Sequence, residues 1–218
     1  MDALVSLFIS AFVTLFVVID PPGCVPIFSG LTAGCSAAHR RTMAIRSTAI
    51  ATAVLFAFAI AGEAFLTALG ISLAAFKIAG GVMVFLIAID MVFEKRTERR
   101  ESRAEEVKSA AAAKARPMEA EDISVFPMAI PMLAGPGSIA AVMLLVARSN
   151  GPMETAVMFA ALASVMALTV ICLLAAGPIM RVLGDKVEGA LTRLLGVVLA
   201  ALAAQFVVDG IKQSFGLA

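Results

Sequence analysis

Phe16-Val-Val-Ile-Asp-Pro-Pro-Gly-Cys-Val-Pro-Ile-Phe28 and Ile130-Pro-Met-Leu-Ala-Gly-Pro-Gly-Ser-Ile-Ala-Ala-Val-Met143 are the stretches on which the reading of this chain turns. Each is apolar enough for a membrane-spanning helix, and each carries a Pro/Gly cluster where such a helix should be continuous. Proline supplies no N–H and clashes with the carbonyl four residues back, and glycine tolerates angles that stop a helix. Asp20-Pro21-Pro22-Gly23 and Ala134-Gly135-Pro136-Gly137 lie 114 residues apart, each near the middle of the first apolar run of its half. A break in hydrocarbon frees amides and carbonyls that cost several kcal/mol each if unpaired, so it persists only inside protein or beside a polar cavity.

Outward from the breaks, the composition is that of a bilayer protein. The 218 residues are 61% hydrophobic, with no Trp or Tyr, and their mean hydropathy is +1.00. A span needs ~20 apolar residues to cross ~30 Å of hydrocarbon. Six stretches qualify, near 4 to 30, 43 to 62, 70 to 93, 123 to 147, 154 to 176 and 191 to 212. The expected fold is therefore all-α, a polytopic membrane protein whose first and fourth spans are broken. Nothing basic precedes the first apolar run and Asp20-Pro21-Pro22 interrupts it, so it is expected to be retained as a span rather than cleaved as a signal peptide.

Lysine and arginine set the orientation. With the N-terminus outside, 14 of them fall on the inner side and 3 (Lys77, Arg148 and Lys212) on the outer side. Both termini are then expected to be extracytoplasmic, in a bacterial inner membrane. Residues 1–93 form a first three-helix repeat, 94–122 a charged cytoplasmic connector and 123–218 a second repeat. Lys77-Ile-Ala-Gly80 and Arg193-Leu-Leu-Gly196 open the third and sixth spans at an offset of 116. An odd number of spans per repeat makes the second copy enter from the opposite side, giving 3+3 inverted repeats. Leu/Ala/Val/Gly runs also align by chance.

The breaks suggest chemistry. Half-helices starting near Gly23 and near Gly137-Ser138 present N–H groups and positive dipole ends, which suit a carboxylate. Carbonyls ending the preceding halves suit an ammonium or a small cation, so the pair fits a zwitterion. The candidate binding set is Asp20, Pro21, Pro22, Gly23, Ala134, Gly135, Pro136, Gly137, Ser138 and Gln205. Asp20 stands close to the midplane, where an ionised carboxylate costs roughly 2.5 to 3.5 kcal/mol. It and Asp209 are the candidates for proton or ion coupling, H+ or Na+. Asp20 is equally readable as a cap of the second half-helix, and Asp209 and Asp90 as interfacial residues.

Several features exclude or subordinate other functions. Near-balanced charge gives no bulk attraction for nucleic acid. One histidine, no metal-ligand spacing and no Gly-rich phosphate loop offer no catalytic residue, metal or cofactor site, so an enzyme is not expected. Cys24, Cys35 and Cys172 read as small packing residues, His39 as a loop residue, and Pro26, Pro127 and Pro131 as kinks. Gly80-Gly81 can pack within one protomer or between two, which leaves a homo-oligomer open.

Asp20-Pro-Pro-Gly-Cys-Val-Pro-Ile-Phe28, Pro127-Met-Ala-Ile-Pro-Met-Leu-Ala-Gly-Pro-Gly-Ser-Ile139 and Arg193-Leu-Leu-Gly with Gln205-Phe-Val-Val-Asp-Gly-Ile211 together resemble the MarC family of integral membrane proteins, over nearly the whole chain. The resemblance implies six spans and, from members regarded as small neutral amino acid transporters, transport of alanine, glycine or serine. The rival readings are a passive channel and a non-transporting membrane scaffold linked to stress response.

Overall fold

A computed structural model describes residues 2–93 and 122–217, with Ser102, Glu105, Glu106 and Ser109 between them; for residues 2, 181–189 and 191 it describes the backbone alone. The rest of the 94–122 connector lies outside the described residues. The described elements are α1 (Asp2–Ile19), α2 (Pro21–Leu31), α3 (Ala37–Ala68), α4 (Leu73–Val92), a wide-wound segment α5 (Ser124–Leu133), α6 (Pro136–Val146), α7 (Pro152–Leu174) and α8 (Ala176–Ser214). All are helical. Five stretches are long and apolar enough to span a membrane, the first running through α1 and α2, and α5 with α6, bent by 53°, gives up to a sixth when the pair is taken as one span.

Local chemistry sets the helix starts. Ser36 caps α3 by accepting the His39 N–H at 3.3 Å, and Ser72 caps α4 by accepting the Ala75 N–H at 3.2 Å, which satisfies donors that a helix otherwise leaves open. The cap at Ser36 corrects the expectation for His39, which lies in the first turn of α3 rather than in a loop. At 32 residues, α3 is ~48 Å long at ~1.5 Å per residue. It overreaches the ~30 Å hydrocarbon layer, so its Arg40-Arg41 end projects beyond the apolar run that begins at Met43. α8 also begins earlier than expected, at Ala176, directly after the α7 end at Ala175.

The packing crosses between the halves. α2 lies on α7 and α8, while α6 lies on α3 and α4. α4 and α8 form an antiparallel pair with close backbones: a Cβ on Gly81 would fall 2.9 Å from the Ala203 carbonyl, one on Gly196 3.1 Å from the Ala88 carbonyl, and one on Gly210 3.0 Å from the Ala74 carbonyl. Small residues allow this approach where lipid offers no hydrophobic drive between helices. Gly80 meets Leu144 and Ala140 of α6, so the Gly80-Gly81 face is used within the protomer.

One spacing recurs through the described helices. Pro136 follows Pro21 by 115 residues and opens a helix of the same 11 residues. Pro152, the start of α7, follows Ala37, the start of α3, by 115 residues. Gly196 follows Gly81 by 115 residues, and their partners Ala203 and Val207 follow Ala88 and Val92 by the same number. The offsets of 114 and 116 read from sequence are thus each one residue out of the structural register.

Candidate functional site

Asp20 joins α1 to α2. Two prolines in a row deprive the Val17 and Val18 carbonyls of their helical donors, and Asp20 takes a left-handed conformation, φ 59° and ψ 63°. Its own N–H still donates to the Phe16 carbonyl at 2.9 Å, its carbonyl accepts from the Cys24 N–H at 3.2 Å, and its Oδ1 accepts from the Gly23 N–H at 3.2 Å. Asp20 is therefore the N-cap of α2. A Cβ at 23 would lie 2.2 Å from Asp20 Oδ2, so any larger residue there would have to displace the capping carboxylate. The carboxylate is 1% exposed.

The second break is built differently. Pro127 and Pro131, both in cis linkages, interrupt the ladder, and the backbone at Phe126 and Ile130 is extended. The N–H groups of Met128 and Ala134 reach five residues back, to Ile123 at 3.3 Å and Ala129 at 2.8 Å. Gly135 is the N-cap of α6, with no side-chain hydrogen bond there. A Cβ on it would lie 2.5 Å from the Pro131 carbonyl. Asp20 and Gly135 are thus both N-caps, followed by Pro21 and Pro136, and Ala134, set beside Asp20 in the sequence, lies one residue before the cap.

The two breaks adjoin. Gly137 sits under the end of Ile87 from α4, 2.1 Å from where a Cβ would be, with Val18 Cγ1 3.9 Å from the same point. Val18 lies two residues before Asp20, so α1 and α6 touch beside both breaks. Pro21, Gly23, Ala134, Gly135, Gly137 and Ser138 are buried, Pro22 is half-buried and Pro136 exposed. Ile87 and Val18 were not among the residues singled out from sequence, since nothing distinguishes one apolar residue of a span from its neighbours.

Gln205 and Asp209 stand elsewhere. Gln205 is exposed on α8 and its amide donates to Asp209 Oδ1 at 2.7 Å. The other Asp209 oxygen accepts from Arg148, at the end of α6, and the Arg148 guanidinium lies 4.7 Å above the Phe206 ring. These residues tie the Lys77–Arg148–Lys212 end of α6 to α8, and Lys77 itself donates to Gln213 at 2.8 Å. At the opposite end, Asp122 joins α3 to the start of α5 through Arg46 at 2.9 Å. Hydrogen bonds from the Ser124 side chain and N–H, then the Arg46 charge, hold its carboxyl below the usual carboxylate range.

The model of the MarC family, described as MarC family integral membrane protein, matches residues 5–215. A UPF0056 membrane protein of Archaeoglobus fulgidus is 34% identical over 209 residues, 95% of this chain and 93% of that protein. The UPF0056 membrane protein YvbG of Bacillus subtilis is 34% identical over 210 residues, 96% of each. The UPF0056 inner membrane protein YhgN of Escherichia coli is 33% identical over 204 residues, 94% and 95%. No solved structure matches the chain. A polytopic helical chain with two adjoining broken spans, matched from end to end by these relatives, belongs to the MarC family of integral membrane proteins.

Proposed function

We propose that this protein is a secondary transporter of small neutral amino acids such as alanine, glycine or serine, built as 3+3 inverted repeats and holding the zwitterion between the two breaks. The observation that carries the reading is the meeting of the breaks, Val18 against Gly137, with a buried carboxylate at one and a bare α6 N-terminus at the other. The constant spacing of 115 residues and the reciprocal packing of α2 and α6 on the other half's long spans support the repeat. In this arrangement Asp20 reads the substrate ammonium or a coupling proton, and the N–H groups around Gly137 and Ser138 receive the carboxylate. Asp20, Gly23, Gly137 and Ser138 are buried in this conformation, so substrate entry requires one repeat to rock against the other.

Proteoliposomes containing the full chain test this. Saturable uptake or efflux of labelled alanine, glycine or serine, with or without a proton gradient, is expected. Flux no greater than in empty vesicles for all three would refute it. A second reading, a non-transporting membrane scaffold, draws on the same burial of both breaks, and it predicts that empty-vesicle result.

A further inference from the structure

A seam between α3 and α7 carries a second feature. The helices run antiparallel there, with Phe56 tilted against Phe159 at 5.5 Å between ring centroids. One cavity, about 240 Å³, opens at the start of α3 against the end of α7, with Arg40 and Arg41 on one wall and Phe28, Leu173 and Pro178 opposite. Another, about 610 Å³ and apolar, begins one turn farther on, at Ile45 and Val170, and continues between Ala49 and Ala167 to Phe56.

The lining positions on α3, from Ala37 through Arg41, Ile45 and Ala49 to Phe56, recur every three or four residues and so share one helix face. Those on α7, Ala163, Ala167, Val170 and Leu174, do the same. The two cavities thus follow one another along the same seam, and we read them as the head and tail of one groove. From Arg41 to Phe56 it runs ~22 Å at ~1.5 Å per residue, enough for a headgroup and the ~15 Å that one leaflet contributes to the hydrocarbon layer.

We infer that this groove is a binding site for an anionic membrane phospholipid, its phosphate between the Arg40 and Arg41 guanidiniums and one acyl chain along the α3/α7 seam. Both arginines are exposed, and neither is a member of the Arg46–Asp122 or Arg148–Asp209 ion pair. Guanidinium offers phosphate a bidentate match. Among the described residues no carboxylate lines the head cavity, so none of them answers the cation of a zwitterionic headgroup. Small side chains at Ala49 and Ala167 leave the tail open.

Native mass spectrometry of the full chain, released from detergent with dioleoyl phosphatidylglycerol or dioleoyl phosphatidylcholine at equal concentration, tests the site without reference to transport. The wild type is expected to retain the anionic lipid about tenfold better, from two arginines at a charged surface. R40Q/R41Q removes that preference, and A49L/A167L lowers retention of both lipids. Three results would overturn the inference. They are equal retention by the wild type, displacement of phosphatidylglycerol by glycerol 1-phosphate at similar concentration, which makes free phosphate the ligand, and conversion of a dimer to a monomer by A49L/A167L, which makes the groove an interface between copies.

Discussion

Asp20 combines two demands in one side chain. The left-handed backbone costs an ordinary residue roughly 1–2 kcal/mol, and Asn and Asp tolerate it best among residues with a Cβ. The capping bond to Gly23 is worth a further ~1 kcal/mol. Asp20→Asn keeps the conformation and an acceptor oxygen, so its thermal stability is expected to stay near wild type while proton-dependent flux is lost. Asp20→Ala loses both terms, and a melting measurement should show it ~2 kcal/mol less stable. Unchanged pH dependence of flux in Asp20→Asn reduces Asp20 to a cap. Asp122 gives a prediction outside the spans. Its carboxyl is held low in the folded protein, so its contribution to stability is full above the unfolded value near ~4 and is lost as pH falls through the folded value. Asp122 is substantially exposed and Arg46 more so, so solvent screening keeps the effect small. The difference in melting temperature between wild type and Asp122→Asn should be present at neutral pH and vanish in strong acid.

At the scale of elements, the glycines of the α4/α8 pair separate two kinds of contact. Gly→Ala inside a helix gains ~1 kcal/mol of propensity, while overpacking costs ~1–3 kcal/mol. At Gly80 the new methyl meets the end of the Leu144 side chain at 3.0 Å, which can swing aside. At Gly81 it meets the Ala203 carbonyl at 2.9 Å and the Val207 nitrogen at 3.0 Å, and at Gly196 the Ala88 carbonyl at 3.1 Å. Backbone cannot yield without separating the helices. Gly80→Ala is therefore expected to be neutral or slightly stabilising, and Gly81→Ala and Gly196→Ala to lose up to ~2 kcal/mol, read as thermal melting of the purified protein in detergent. Equal effects at all three positions would contradict the antiparallel register. The same comparison explains Gly137, which lies beneath a single flexible Ile87 terminus and admits a methyl only if Ile87 changes rotamer.

At the scale of the molecule, we propose that the chain crosses the membrane six times, which places both termini on one side, and that this side is the outer one, away from most of the lysine and arginine. Reporter fusions at Met1 and Ala218 should therefore report the same, extracytoplasmic compartment, and opposite compartments would reduce the bent α5–α6 pair to a re-entrant loop. The crossed packing, in which α2 rests on α7 and α8 while α6 rests mainly on α3 and α4, also means that each half buries its broken span chiefly against the long helices of the other. Stability and any rocking motion are consequently properties of the two halves together.

The membrane class, the approximate positions of six apolar stretches and the location of both breaks were legible in the chain, because hydrocarbon thickness sets span length and proline and glycine act on the backbone where they stand. The capping alternative for Asp20 was legible for the same reason: it stands directly before two prolines, where a new helix needs an N-cap. The register of 115 residues, Ile87 above Gly137 and the pairing of Arg148 with Asp209 were not. They depend on which face of each helix meets which neighbour, and in a membrane the lipid-facing and protein-facing sides are similarly apolar, so periodicity does not mark them. Gln205 shows the limit most clearly, since its four-residue spacing from Asp209 indicated a shared face but not that the face would bind Arg148 at the end of α6 rather than turn toward the breaks. Local backbone chemistry was thus written in the sequence, while the approach of distant helices, through contacts only a few tenths of an ångström from collision, was decided by the tertiary structure.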